Sequence, residues 1–208
     1  MKERKTTKGL KKMNELIDAV GAVLTEKGHA NISAGSVARQ AAVTRRTIDF
    51  HFGSFDNLVE EYIKKRDFWS PETNVQIQDI FANPRNRGKE DILLLLQNQF
   101  NSVLGSRELQ NILLWELSEN TKILGRISRE REVLGDKLFE FVEDDFQKSE
   151  IDLRAVMALL ISGVYYLVLH AVNNGSTFCG IDINQPSGKE RIGTALHQIM
   201  DLCYEKLS

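Results

Sequence analysis

The chain has 208 residues, of which 42% are hydrophobic and 27% charged, a composition typical of a globular protein and unlike a disordered or collagen-like chain. Only 3 Pro and 14 Gly occur, which disfavours an all-β sandwich with its frequent turns. The net charge of −2 hides a division, because residues 1–66 carry 13 Lys+Arg and 8 Asp+Glu (net +5), whereas residues 67–208 carry 14 and 21 (net −7).

The first predicted element is an amphipathic helix that ends before Gly28, a residue suited to a left-handed helix cap. Its apolar residues recur in alternating steps of three and four: Leu10, Met13, Ile17, Val20 and Leu24. Two short helices follow, the first with Ser33 or Ser36 as its N-cap and the second running to about Phe52. A fourth helix is predicted from the N-cap Ser54 to about residue 69.

Beyond residue 70 the apolar pattern remains helical. Helices are predicted at 74–82, 89–104, 107–122, 123–148, 152–173 and 188–207, with a long loop at 174–187. All three prolines fall in predicted breaks, where they interrupt no helix. The sequence therefore predicts an all-α chain of about nine to ten helices.

The segment 152–173 is apolar over about the length of one membrane span. It contains several polar residues, so we interpret it instead as a helix buried on nearly all sides, in a core or a subunit contact. No apolar segment typical of a signal peptide follows the charged N-terminus, and two cysteines cannot build a disulfide framework. We therefore expect a cytoplasmic protein with no membrane partner.

The segment 33–52 carries the functional signal. Two short helices joined by a tight turn share an apolar face, which is helix-turn-helix geometry with the second helix free to enter a DNA major groove. The residues of this face are Val37, Ala38, Ala41, Val43, Ile48 and Phe52. Thr44 is placed to cap the second helix. Arg45 and Arg46 lie in its first turn, where positive charge opposes the helix dipole, so we interpret them as contacts to phosphate or to a guanine edge.

The spacing of these residues resembles that of the tetracycline-repressor-like (TetR) family of bacterial-type transcriptional regulators. The close match covers about residues 10–63 and consists of Gly28, Val37-Ala38, Ala41, Val43-Thr44, Thr47-Ile48, His51-Phe52, Ser54 and Leu58. The resemblance implies a homodimer in which each subunit presents its second short helix to one half of a palindromic operator in double-stranded DNA. It also implies a ligand pocket and dimer contacts in the C-terminal domain.

The family's DNA contacts carry over to Ser33, Thr44, Arg45, Arg46, Thr47 and His51. Residues 2–12 add six basic residues and one acid, so Lys5 and Lys8 are further candidates in an arm that follows the DNA backbone or enters the minor groove.

Three departures from the family pattern matter. Ala42 stands where the turn usually has glycine, and Arg46 replaces a glycine of the recognition helix. Asp49 replaces a tyrosine that touches phosphate, and Phe55 replaces a lysine. We favour the interpretation that Asp49 orients Arg45 or Arg46, with a hydrogen bond from cytosine N4 or plain solvent exposure as alternatives.

The remaining chain is less informative. Candidate ligand contacts are polar or aromatic residues on otherwise apolar helices, although core packing explains each of them at least as well: Asn98, Phe100, Trp115, Glu116, Met157, Tyr165, Tyr166 and His170. Small residues in 152–173 permit close helix approach, so that segment and 188–207 are the predicted dimer helices. We predict no cofactor, no metal site and no catalytic residue, since no zinc-protease, phosphate-loop or nucleophile-elbow spacing occurs.

The sequence thus predicts a three-helix DNA-binding head at residues 1–69, with its motif at about 33–52, and a helical ligand-binding and dimerisation bundle at 70–208. The predicted function is a homodimeric transcriptional regulator, a repressor released by an unknown small molecule. The alternative is a helical ligand- or protein-binding dimer whose head has lost DNA affinity, for which Asp49 and Phe55 are the motive.

Overall fold

The computed structural model describes residues 7–69, 71–82, 88–147 and 149–207. These residues form ten α-helices and one 3₁₀ turn, His29–Asn31, with an isolated bridge between Phe178 and Ile181 as their β pairing. The helices are α1 (Thr7–Lys27), α2 (Ala34–Gln40), α3 (Arg45–Phe52), α4 (Phe55–Arg66), α5 (Pro71–Ala82), α6 (Lys89–Gly105), α7 (Arg107–Ser118), α8 (Lys122–Phe146), α9 (Leu153–Asn174) and α10 (Pro186–Glu205). The all-α prediction is confirmed.

The described residues before Pro71 pack with Arg107–Arg129 into a first compact unit. Its core joins the buried stripe of α1 to the inner faces of α2, α3 and α4. Ile112 and Trp115 of α7 and Leu124 and Ile127 of α8 belong to the same core. The first unit therefore includes α7 and the start of α8 in addition to the helices of the predicted head.

A polar contact ties α1, α4 and α7 together within this unit. The Tyr62 side chain is fully buried, and its hydroxyl donates a hydrogen bond to Glu108 Oε1 at 3.3 Å. Arg66 pairs with Glu108 at 3.0 Å and with Asp18 at 3.1 Å. Burial, followed by the nearby Glu108 carboxylate, raises the pKa of the Tyr62 phenol. The phenol therefore stays protonated and acts as a donor.

The second compact unit consists of the described residues of Pro71–Ser106 and Glu130–Ser208. In it α6 packs against both α9 and α10. The buried face of α6 carries Ile92, Leu93, Leu95, Leu96, Phe100 and Val103. A part-buried polar contact lies in this layer, where the Gln99 amide donates a hydrogen bond to the Tyr165 hydroxyl.

Several predicted helix ends are confirmed and others are wrong. Gly28 has φ 76° and donates its N–H to the Leu24 carbonyl, but its ψ of 167° lies outside the left-handed helical region that was expected for this cap. Pro71 and Pro186, predicted to lie in breaks, are instead the first residues of α5 and α10. The first helical position suits proline because its missing N–H would be unpaired there anyway. Pro84 lies outside the described residues.

Helix α9 is not buried on nearly all sides within one chain. It is the one helix among the described residues that is long and apolar enough to cross a membrane, yet only 28% of its most apolar stretch is buried. Leu159 is 73% exposed and Tyr166 is 54% exposed. These exposures do not fit a helix buried in the core of one chain.

Candidate nucleic-acid interface

Helix α2 begins with a reciprocal cap. Ser36 donates its N–H to the Ser33 hydroxyl at 3.2 Å, and Ser33 donates its N–H to the Ser36 hydroxyl at 3.0 Å. The Ser36 hydroxyl also reaches the Asn31 carbonyl at 2.7 Å. Behind this cap, Val37 and Ala38 are buried in the core. The start of α2 is therefore firmly placed, and Ser33 remains exposed at the surface.

The turn between α2 and α3 passes through a left-handed residue. Ala42 has φ 51°, and the Val43 N–H returns to the Ala38 carbonyl at 2.9 Å. The sequence already marked this position, because an alanine stands where glycine is expected. The positive φ at this alanine reduces stability, since the conformation costs an L-residue about 1–2 kcal/mol.

We expect Ala42→Gly to stabilise the protein. Relief of the left-handed strain outweighs the larger conformational entropy of glycine in the unfolded chain, which leaves a net gain of about 0.5–1 kcal/mol. Urea unfolding followed by circular dichroism measures this difference. Because Ala42 is exposed, a loss of stability on this change would mean that the positive φ carries no strain.

Helix α3 has one buried face and one exposed face. Ile48 is 0% exposed and Phe52 is 9% exposed, and both pack into the core of the first unit. The exposed residues of this helix include Arg45, Arg46, Asp49 and Phe50. The short helix is thus anchored by its apolar residues while its charged residues face outward, as a recognition helix requires.

The start of α3 differs from the prediction in one respect. Thr44 is the N-cap residue, but its side chain does not cap the helix. Its hydroxyl instead lies 3.2 Å from the Thr47 hydroxyl. The Thr47 N–H instead bonds to the Thr44 backbone carbonyl at 3.0 Å, and the two exposed hydroxyls are groups suited to a phosphate.

The two arginines of α3 occupy different surroundings. The Arg45 guanidinium lies over Gly35 of α2, where an added β-carbon would come within 2.5 Å of Arg45 Nη2. Arg46 is exposed. Among the described residues, the Asp49 carboxylate forms no hydrogen bond or ion pair with the side chain of either arginine. The favoured interpretation of Asp49 as an arginine-orienting residue is thus not what the structure shows, because Arg45 packs toward α2 instead.

Phe55, which replaces a family lysine, has a packing role. Its side chain is half-buried against the core of the first unit. Ser54 caps α4 beside it, accepting a hydrogen bond from the Asn57 N–H at 3.1 Å. The apolar residue therefore stabilises the start of α4, and its presence is no evidence that the head has lost its function.

The basic arm is described only in part. Lys8 is exposed in the first turn of α1, and Lys12 pairs with Glu15. The hydrogen bond from Lys12 lowers the pKa of the Glu15 carboxyl. Lys5 lies outside the described residues. His51 is half-buried at the end of α3.

One exposed residue of α3 was not among the sequence-derived candidates. Phe50 is 83% exposed, and its ring contacts the His51 ring edge to face with centroids 5.0 Å apart. Phe50 carries neither charge nor a hydrogen-bonding group, the features that mark the other candidates. The spacing of Phe50 does indicate an exposed position, because it lies two positions from both Ile48 and Phe52, on the side of the helix away from the core.

The structure does not gather the ligand-binding candidates into one unit. Trp115 and Glu116 belong to the first unit, where the Trp115 indole donates a hydrogen bond to Glu119 at 3.0 Å. Asn98, Phe100, Tyr166 and His170 belong to the second unit. Met157 and Tyr165 lie there too, on α9.

Within the second unit these candidates separate again. Phe100 is 4% exposed and Asn98 is half-buried on α6. Tyr166 and His170 stack on each other near the surface, with ring centroids 5.8 Å apart, and the Ser176 hydroxyl lies 2.9 Å from His170 Nε2. Among the described residues no group of three or more His, Cys, Asp or Glu side chains is suited to a metal ion.

The arrangement of α2, the turn and α3 defines a helix-turn-helix protein. Solved structures with the same fold include NalD, the secondary repressor of the MexAB-OprM multidrug efflux pump in Pseudomonas aeruginosa. Its TM-score is 0.67 at 18% identity, with 94% of this chain and 96% of that chain covered. FadR from Bacillus subtilis, solved in complex with stearoyl-CoA, has a TM-score of 0.64 at 18% identity, covering 90% of this chain and 96% of that chain.

A TetR-family transcription regulator from Marinobacter aquaeolei has a TM-score of 0.62 at 16% identity, with 91% of this chain and 94% of that chain covered. No protein-family model and no curated protein sequence matches the chain. At these identities the likeness establishes the fold, and the chain has the all-α fold of TetR-family regulators.

Proposed function

We propose that the protein is a sequence-specific DNA-binding transcriptional regulator, and not an enzyme, which acts in the cytoplasm as a homodimeric repressor released by a small molecule. The observation that carries this proposal is helix α3. Its buried residues fix it against the core while Arg45, Arg46 and the hydroxyls of Thr44 and Thr47 face outward. The structural neighbours, which are themselves transcriptional regulators, support the same class of function.

We place DNA contacts at Ser33, Thr44, Arg45, Arg46, Thr47, His51 and Lys8, with Lys5 in the preceding arm. The exposed arginines supply donors for guanine and phosphate, and the hydroxyls supply contacts that position the helix on the backbone. Asp49 is exposed between them, and without an arginine partner its carboxylate is available to accept a hydrogen bond from cytosine N4. The negative charge of the same carboxylate, which phosphates would repel, favours the second candidate, a helical binding dimer with a weakened head.

Two exposed apolar stripes support dimerisation through α9 and α10. On α9 the stripe runs in steps of four and three through Ala155, Leu159, Ser162 and Tyr166. On α10 Ile199 is 37% exposed and Leu202 is 62% exposed, three positions apart on one face. Monomers rarely leave such stripes open, and two helices from each copy would form a four-helix interface.

The effector site belongs, in this proposal, to the second unit. FadR from Bacillus subtilis was solved with stearoyl-CoA, which is consistent with a helical bundle of this fold accommodating an acyl ligand. In this chain the packed residues of α6 and α9 are mostly apolar, with the contact between Gln99 and Tyr165 and the buried Asp91 of α6 as polar groups among them. An effector with an apolar body and one polar group suits such a layer.

Selection from a random pool of duplexes tests the proposed function. We expect the purified protein to enrich one palindromic sequence, to bind it in the nanomolar range as two chains per duplex, and to lose affinity steeply as salt increases. The salt dependence follows from counterion release at each phosphate contact. Failure to enrich any sequence at low salt would favour the helical binding dimer instead.

A further inference from the structure

Phe50 is the most exposed large hydrophobic side chain among the described residues, with 83% of its surface open to solvent. It does not contribute to the core of the first unit, which takes Ile48 and Phe52 from the same helix. Its ring rests edge to face against His51, which limits the directions that it adopts. A large apolar ring at this position therefore has no folding role that explains it.

The position of Phe50 places the ring on the surface proposed to face DNA. It follows Arg46 by four residues and Asp49 by one, and all three are exposed. Arg46 and Asp49 offer a donor and an acceptor to the polar groups of base edges. Phe50 offers neither, so its partner in the groove must be apolar.

We propose that Phe50 is a specificity-determining residue that packs against the C5-methyl group of a thymine in each operator half-site. Thymine alone among the four bases carries an apolar group on its major-groove edge, and phenylalanine is one of the side chains that contact it. This inference rests on the proposed function, because it requires that α3 enter the groove. It adds a requirement for a particular base that the charged residues do not impose.

Replacement of single thymines by deoxyuridine in the selected operator tests this contact, since it removes the methyl group and leaves every hydrogen-bonding group in place. For the wild-type protein, one thymine position in each half-site should lose affinity by about fourfold, because burying one methyl-sized group contributes about 0.8 kcal/mol. Substitution in both half-sites together should give a loss of about fifteenfold.

Two variants assign the effect to this ring. The Phe50→Ala variant should bind the thymine operator more weakly than the wild type does. At this one position, and at no other, it should bind the thymine and deoxyuridine operators equally. Phe50→Leu, which keeps an apolar side chain, should retain a preference of about twofold. The matched control is Leu117→Ala on α7, which removes another highly exposed apolar side chain, 77% open to solvent, and should keep the full fourfold preference. Thermal unfolding of each variant confirms that it is folded.

Three results would overturn the inference while leaving sequence-specific binding intact. These are a selected half-site without thymine, a wild-type protein that is insensitive to deoxyuridine, and a Phe50→Ala variant that keeps the wild-type preference at every position. A protein that selects no sequence would instead contradict the proposed function itself. The two failures are therefore distinguished by the first step of the experiment.

Discussion

Replacing Arg46 with alanine is expected to weaken operator binding by at least about 30-fold and to relax the preference for guanine at one position of each half-site. A bidentate arginine–guanine contact discriminates by about 1–3 kcal/mol, and a dimer makes the contact twice. Arg46 is exposed and makes no described contact that folding needs, so the stability of the variant should match that of the wild type. Fluorescence anisotropy with the operator and with a scrambled duplex measures both affinities.

The matched control for Arg46 is Lys8→Ala. Lys8 is also exposed and basic, but it lies in the first turn of α1 and not on α3. Its loss should weaken the operator and the scrambled duplex by the same factor and reduce the salt slope by about one, because a phosphate contact carries no sequence information. If Arg46→Ala and Lys8→Ala have the same effect on both duplexes, Arg46 is not a base contact.

Arg45→Ala should relax sequence preference as well, although its side chain starts from a different place. Because the Arg45 guanidinium lies over Gly35, the residue at position 35 limits where the Arg45 side chain lies. The structure thus shows that the two arginines have different surroundings, although they are adjacent in the sequence.

The helices of the first unit were predictable because one physical signal, apolar residues at helical spacing, specifies both the helix and the face that it buries. The same signal in the segment of α9 was ambiguous. Hydropathy indicates that Leu159 and Tyr166 belong to an apolar helix. It does not indicate whether the apolar surface that covers them belongs to the same chain or to another one. Only the packed structure shows that one chain leaves them exposed.

The candidate site was predictable where it depends on local chemistry and not where it depends on side-chain direction. The cap at Ser33 follows from neighbouring residues, the turn at Ala42 is implied by the family resemblance, and both are found. The spacing of Asp49 from Arg45 permits an ion pair, but a competing position over Gly35 takes the arginine. Such competition between neighbours is decided by packing, which no spacing rule contains.

The largest stability effect is expected at Gly188, in the first turn of α10. A β-carbon added there would lie 1.9 Å from the Asp182 carbonyl oxygen and 2.5 Å from its carbon, distances that no real contact allows. The obstacle is backbone and not a flexible side chain, and the next residue, Ile183, is 2% exposed and anchored in the second unit. We therefore expect Gly188→Ala to destabilise the protein by about 3 kcal/mol or more.

The same helix offers the opposite result at Gly193. Nothing lies within 4 Å of a β-carbon added there, so the added methyl group meets open space. Gly193→Ala should therefore stabilise the protein by about 1 kcal/mol, the difference in helix propensity between the two residues. Urea unfolding of the two variants compares two identical chemical changes five residues apart. If both variants lose stability to a similar extent, helix propensity and the space around the added β-carbon do not govern α10. If the free energy of unfolding falls for Gly188→Ala and rises for Gly193→Ala, the close backbone approach at Gly188 fixes how this helix begins.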